Sequence, residues 1–200
     1  MEPFKTITSK ATPLDFVNVD TDQIVPKQFL KLIHKTGYGK YLFFDWRYDA
    51  KGNLKENFVL NDPKYNGRQI LLTRDNFGVG SSREHAAWAI ADYGFKAIIA
   101  PSFADIFYNN CLKNGILPVK LTHYEVDFLF MITEKEEIEI DLDKQSVRAG
   151  SKTMHFVMDE YKKEALLKGL DEIGITLQLE QQISEYEKNK SRVFFRSSFL

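Results

Sequence analysis

Short runs of consecutive apolar residues alternate, through the middle of the chain, with segments of helical spacing. The runs are Gln69–Leu72, Ala97–Ala100 and Ile116–Val119. Each has the length and two-sided apolarity of a strand buried on both faces. Between the first two lies Arg83–Tyr93, whose helical pattern stops at Gly94. Between the second and third, Phe103, Ile106, Phe107 and Asn110–Cys111 mark the apolar face of a helix. Ser102, with Asp105 at capping-box spacing, predicts its start, and Gly115 its end. A β-loop-α-β-α-β order predicts parallel strands joined by right-handed crossovers.

The flanks are less regular. Phe4–Phe16 reads as a short strand and a turn broken by Pro13, and Asn18–Pro26 as a turn rich in Asn and Asp. Phe29, Leu32 and Ile33 have helical spacing, closed by Gly37 and Gly39. Tyr41–Tyr48 is dense in aromatics, and Asp49–Gly67 reads as a mobile loop. Beyond the parallel core, His123–Met131 predicts a short helix. Two alternating stretches, Ile138/Ile140/Leu142 and Met154/Phe156/Met158, predict a hairpin. Helices are expected around Glu160–Leu170 and Leu177–Asn189. The whole, residues 1–200, reads as one α/β domain with a parallel core and additional β structure.

Composition narrows the function classes. Lys+Arg 27 against Asp+Glu 28 gives no global basic field for nucleic acid. Cys111 is the only cysteine, so the chain can form neither an internal disulfide nor a thiolate cluster site of its own. Cys111 lies on the apolar face of its predicted helix and reads as a core thiol. No run of 18 apolar residues and no apolar signal core in Met1–Lys10 is found, which leads to an expected cytoplasmic location and no membrane partner. Sixteen Phe, 9 Tyr and 2 Trp predict a well-filled core or a sizeable contact surface.

The chemistry concentrates in Asn76-Phe77-Gly78-Val79-Gly80-Ser81-Ser82-Arg83-Glu84-His85. Gly78 and Gly80 permit a sharp turn, and Ser81 and Ser82 are expected at the start of a helix, where N–H groups and hydroxyls suit an anion. Arg83 in a first helical turn would oppose the helix dipole, which is understandable beside a carboxylate or phosphate. These local features fit an anion site and a capped helix with a surface arginine equally well. A dinucleotide fingerprint fails because Arg83 stands where its third glycine would be, no Gly-Lys-Ser/Thr follows, and Gly-x-Ser-x-Gly is not matched.

Gly80-Ser81-Ser82-Arg83-Glu84-His85-Ala86-Ala87, Ala100-Pro101-Ser102-Phe103-Ala104-Asp105-Ile106-Phe107 and Asn114-Gly115-Ile116-Leu117-Pro118-Val119 resemble the swivelling domain of the aconitase superfamily. Asn18-Val19-Asp20-Thr21-Asp22-Gln23-Ile24-Val25-Pro26-Lys27-Gln28-Phe29-Leu30, Leu42-Phe43-Phe44-Asp45-Trp46-Arg47 and Gly169-Leu170-Asp171-Glu172-Ile173-Gly174-Ile175-Thr176-Leu177 are similar to the bacterial small subunits of 3-isopropylmalate dehydratase. The likeness runs from about residue 4 to 187, and the tail Ser191–Leu200 has no counterpart.

The resemblance implies a β/β/α layered fold and half an enzyme. A large-subunit partner would carry a [4Fe–4S] cluster, and this chain would bind none. The implied reaction is the isomerisation of 2-isopropylmalate to 3-isopropylmalate through 2-isopropylmaleate, in leucine biosynthesis. Ser81 would be the base and Arg83 the carboxylate-binding group acting with it. Ser82 would be a supporting substrate contact, and Asp22 an acid near the reacting groups. Lys27–Gly39, with Phe29, Leu30, Leu32 and Ile33 but no arginine, would set specificity. His85 reads as a packing residue, and His34, His123 and His155 have no partners visible in the sequence. Two other readings stand beside this one. The chain could serve a related hydro-lyase acting on 2-methylmalate or citraconate, or be a non-catalytic carboxylate-binding module.

Overall fold

A computed structural model describes residues 1–31 and 36–196. Leu32, Ile33 and His34, and with them part of the expected specificity segment, lie outside the described residues, as do 197–200 of the tail.

Among the described residues two four-stranded sheets form. β2 (Ala11–Leu14), β3 (Ile70–Thr73), β4 (Ala97–Ala100) and β5 (Leu117–Lys120) are parallel and lie side by side in chain order. The crossovers from β3 to β4 and from β4 to β5 carry α3 (His85–Tyr93) and α4 (Asp105–Lys113). Right-handed crossovers that always step the same way leave their helices on one face. Leu71, Ile98 and Ala100 accordingly pack with Ala87 and Ile90 of α3 and Phe107 and Cys111 of α4. The opposite face is left for a second layer. There Ile70, Leu72, Ala97 and Ile99 meet Ile138, Ile140, Val147 and Met154 of the other sheet. That sheet is antiparallel, in the order β1 (Thr6–Ser9), β6 (Ile138–Asp141), β7 (Ser146–Ala149), β8 (Lys152–His155). The β/β/α layering and the parallel core agree with the expectation from sequence.

Several local expectations are corrected. Pro13 does not end a strand but sits within β2, because β2 is an edge strand and a missing N–H is tolerated there. Only Lys10 separates β1 from β2, so the chain passes directly from one sheet to the other. The C-terminal hairpin is a meander, with β7 between the two alternating stretches. Ser102 does not cap α4, whose N-cap is Ala104. Its Oγ instead accepts from the Asn76 N–H at 2.8 Å and donates to Asp75 Oδ1 at 3.3 Å. Ile106 is 54% exposed rather than part of the apolar face.

Asn18–Pro26 contains a helical turn, α1 (Thr21–Ile24), and the aromatic stretch another, α2 (Phe44–Arg47). Asp49–Gly67 is tied within itself and to the end of α2. Phe58, Leu60 and Tyr65 are buried, and Asn61 Nδ2 donates to the carbonyls of Arg47 (2.7 Å) and Lys55 (2.9 Å). The remaining helices are α5 (His123–Ile132), α6 (Glu160–Lys168), α7 (Glu172–Leu177) and α8 (Glu180–Arg196). The last expected helix, Leu177–Asn189, corresponds to α8, and α7 before it is a short helix that was not expected.

Candidate active site

Loops leaving the carboxyl ends of β2, β3 and β4 bond to one another, where ligands of open α/β sheets usually sit. The Asn18 N–H donates to Asp75 O (2.9 Å), Gly78 N–H to Val19 O (2.8 Å) and Ala104 N–H to Phe77 O (3.1 Å). Gly78, at φ +79, lies against the Phe107 side chain. The loops thereby continue the sheet beyond its strands and place α1 beside Ser81.

The sequence of α1 explains its short turn. Asp20 is the N-cap, and its Oδ1 accepts from the N–H groups of Asp22 and Gln23, both at 2.7 Å. Gln23 Oε1 returns to the Asp20 N–H at 2.8 Å, completing a capping box. This turn buries Thr21 and projects Asp22 toward Arg83. Arg83 Nη1 donates to Asp22 Oδ1, and Lys27 Nζ lies 3.3 Å from Asp22 Oδ2. Burial works against ionisation of Asp22, but the hydrogen bonds from Arg83 and Lys27 outweigh it and hold the carboxyl below its ordinary range.

Asp22 and Arg83, singled out separately in sequence, are therefore brought together. Ser81 and Ser82 lie immediately before Arg83, and both are exposed. Their relation to the helix differs from expectation. α3 begins at His85, with Glu84 as an N-cap that makes no side-chain capping bond. Ser81, Ser82 and Arg83 precede it, so Arg83 is not in the first turn. Two competing contacts hold this stretch out of the helix. The Ser81 N–H donates to Thr21 Oγ1 (3.1 Å), and Asn110 Nδ2 donates to Ser82 O (3.4 Å). The Ser81 N–H is thus committed to the protein and not to an anion. Glu84 accepts from Trp88 Nε1 (3.1 Å) and from Asn114 Nδ2 (2.9 Å). Lys27, Thr21, Asn110 and Asn114 were missed in the sequence reading. The spacing of Asn110, within α4, and Asn114, its C-cap, four residues apart, was the available signal.

His85 packs between Tyr38 and Trp88, with ring centroids at 5.4 and 4.6 Å. Its Nδ1 is buried with no hydrogen-bond partner among the described residues. Burial lowers its pKa below the ordinary 6.5. A folded-state pKa below the unfolded one gives stability that is full above about pH 6.5 and declines as pH falls through the folded value. Chemical denaturation between pH 7.5 and 5 should show that decline, and His85→Phe should flatten it. An unchanged slope in the variant would contradict the assignment to His85.

Among the other titratable groups, His123 does have a partner, with Nε2 2.8 Å from Asp75 Oδ1. Burial pushes the Cys111 thiol well above its ordinary pKa, as for a core thiol. Among the described residues no group of three or more His, Cys, Asp or Glu could hold a metal ion. No helix among them is long and apolar enough to cross a membrane.

Comparison with known proteins places the chain in a family. The aconitase C-terminal domain profile matches residues 1–124. The chain is 54% identical over 196 residues to the 3-isopropylmalate dehydratase small subunit of Shouchella clausii, covering 96% of this chain and 99% of that one. It is 53% identical over 194 residues to the same subunit of Brevibacillus brevis, covering 95% and 100%. The crystal structure of a 3-isopropylmalate dehydratase from Methanocaldococcus jannaschii superposes with a TM-score of 0.67 at 28% identity, over 90% of this chain and 99% of that chain. This chain belongs to the family of 3-isopropylmalate dehydratase small subunits, built on the aconitase C-terminal domain.

Proposed function

We propose that this chain is one half of a hydro-lyase that isomerises 2-isopropylmalate to 3-isopropylmalate through 2-isopropylmaleate, in leucine biosynthesis. The observation that carries the reading is the pairing of Asp22 with Arg83 beside exposed Ser81, residues that come from two loops far apart in sequence. The names of the relatives supply the substrate.

In this reading Ser81 Oγ takes the proton from the carbon next to a substrate carboxylate, while hydroxide leaves the adjacent carbon. Water then adds back in the other orientation. Serine is too weak an acid to be an alkoxide at neutral pH without strong local positive potential. Arg83, Lys27 and the N-terminal end of α3 supply it, since the first intrahelical bond there is from the Trp88 N–H to Glu84 O. Arg83 gives one donor to Asp22 and has others with which to hold a substrate carboxylate by two parallel bonds. Ser82 is a supporting contact. Asp22 orients the guanidinium and, together with Arg83 and Lys27, leaves the cluster of charges net positive toward a dicarboxylate.

The residues described here do not form a ligand set for an iron–sulfur cluster, and the lone Cys111 is fully buried. In this proposal a [4Fe–4S] cluster is carried by a large-subunit partner, where it would act as the Lewis acid for the departing hydroxyl. Anaerobic reconstitution with that subunit is the test. Conversion of 2-isopropylmalate is expected from the mixture and from neither subunit alone. An assembled, cluster-loaded complex that ignores 2-isopropylmalate but turns over citraconate or 2-methylmalate would replace the substrate. One that turns over none of them would favour a carboxylate-binding module.

A further inference from the structure

The contact that occupies the Ser81 N–H has a consequence for the position of the serine itself. Thr21 is 2% exposed, yet its hydroxyl is spent on a loop that arrives from another strand. Its N–H donates to Val79 O at 2.9 Å and its Oγ1 accepts from the Ser81 N–H at 3.1 Å, so it grips the segment on both sides of Gly80. Gly80, at φ +103, lies beside the start of α1, where a Cβ would be in ordinary contact with Thr21 Oγ1 at 3.5 Å. Asn110 holds the next peptide from the other side, through Ser82 O. Ser81 and Ser82 are thus fixed by their backbones.

The neighbouring residue, Asp22, binds Arg83. One helical turn therefore sets both the backbone of Ser81, through Thr21, and the guanidinium of Arg83, through Asp22. We infer that Thr21 is a positioning residue, whose buried hydroxyl fixes Ser81 relative to Arg83 for proton abstraction. This rests on the reading of Ser81 as the base.

Two substitutions separate the hydroxyl from the bulk of the side chain. Thr21→Val keeps the shape and removes the acceptor, and Thr21→Ser keeps the acceptor. Amide hydrogen exchange of the full chain reads the contact without reference to activity. Exchange of the Ser81 N–H is expected to rise at least about tenfold in Thr21→Val, through local opening and not throughout the core, and to stay near wild type in Thr21→Ser. In the assembled enzyme, kcat of Thr21→Val should fall about ten- to a hundredfold, as for a reacting group displaced by about 1 Å. KM should change by less than about threefold, because the loss is of transition-state geometry. Thr21→Ser should restore most of kcat.

A wild-type kcat in Thr21→Val would overturn the inference, as would an unchanged Ser81 exchange rate or failure of Thr21→Ser to restore turnover. Ser81→Ala in the same assay keeps the two readings apart. If it is fully active the base assignment fails and the positioning role falls with it. If it is inactive while Thr21→Val is normal, only the positioning role falls.

Discussion

Ser81→Ala is expected to lower kcat of the assembled enzyme by about 10²–10⁴-fold, the range for loss of a positioned general base. KM should move by less than about threefold, since in the proposed mechanism Ser81 acts on the proton in the transition state and adds little to ground-state binding. The structure makes this a clean test. Ser81 is exposed, and the hydrogen bond that holds it uses its backbone N–H, which alanine retains. Folding stability should therefore stay within about 0.5 kcal/mol of wild type. Steady-state kinetics on matched complexes, with complex assembly checked by gel filtration, measure both quantities. Wild-type turnover by an assembled Ser81→Ala complex would remove Ser81 from the chemistry, whatever the rest of the site does.

The largest effect on stability is expected at Gly78. A Cβ there would lie 2.1 Å from Phe107 Cγ and 2.4 Å from Cδ1, and the Phe107 ring is buried against Phe77. It cannot swing aside into solvent, so the loop itself must shift. Gly78→Ala combines overpacking, about 1–3 kcal/mol, with a left-handed φ of +79 that costs a further 1–2 kcal/mol or so. A total near 3 kcal/mol lowers Tm by roughly 6–12 °C in a domain of this size. Gly80→Ala is the internal control. It has a similar φ problem, at +103, but its Cβ would meet nothing nearer than 3.5 Å. Its loss should be confined to the conformational part, about 1–2 kcal/mol. Thermal unfolding of both variants decides the matter, and equal shifts would show that Phe107 does not set the cost.

The parallel core was readable because each of its signals is local. Ile70, Leu71 and Leu72 of β3 and Ala97–Ala100 are apolar on both faces, and Gly94 closes α3 in the left-handed conformation. The elements that were misread depend on partners elsewhere. Pro13 breaks a strand in isolation and is harmless on an edge. Ser102 has the spacing of a cap, but Asn76 and Asp75 compete for its hydroxyl across the sheet end. β7, Ser146–Ala149, has only Val147 and Ala149 as apolar positions and does not stand out before its two neighbours are placed. The capping box of α1 was present as Asp20 and Gln23, yet the same residues describe a turn equally well.

The candidate site follows the same division. Arg83 and Ser81 were visible as a motif, and Asp22 through its resemblance to the family. That Asp22 binds Arg83, and that Thr21 takes up the Ser81 N–H, depends on two loops meeting in space. The expected helix start at Ser81 failed for this reason, because contacts from α1 and α4 outbid helical hydrogen bonds there.

The edge position of β2 also bears on how the molecule acquires this site. Thr21 and Ser81 are 60 residues apart, and Ala11 pairs with Ile70 across a similar span. The β3–α3–β4–α4–β5 unit closes through much shorter crossovers. Non-local pairings of this kind form slowly compared with local ones. A chain in which β3–β5 have already paired can thus hold most of its helical face while Ser81 and Arg83 still lack α1. Conversely, detachment of the edge strand and its following turn would dismantle the site before the core. The Asp22–Arg83 pair thus belongs with the long-range pairings, of which β1 with β6 is a longer one still, and a chain that holds only its local β3–β5 unit has secondary structure without the site.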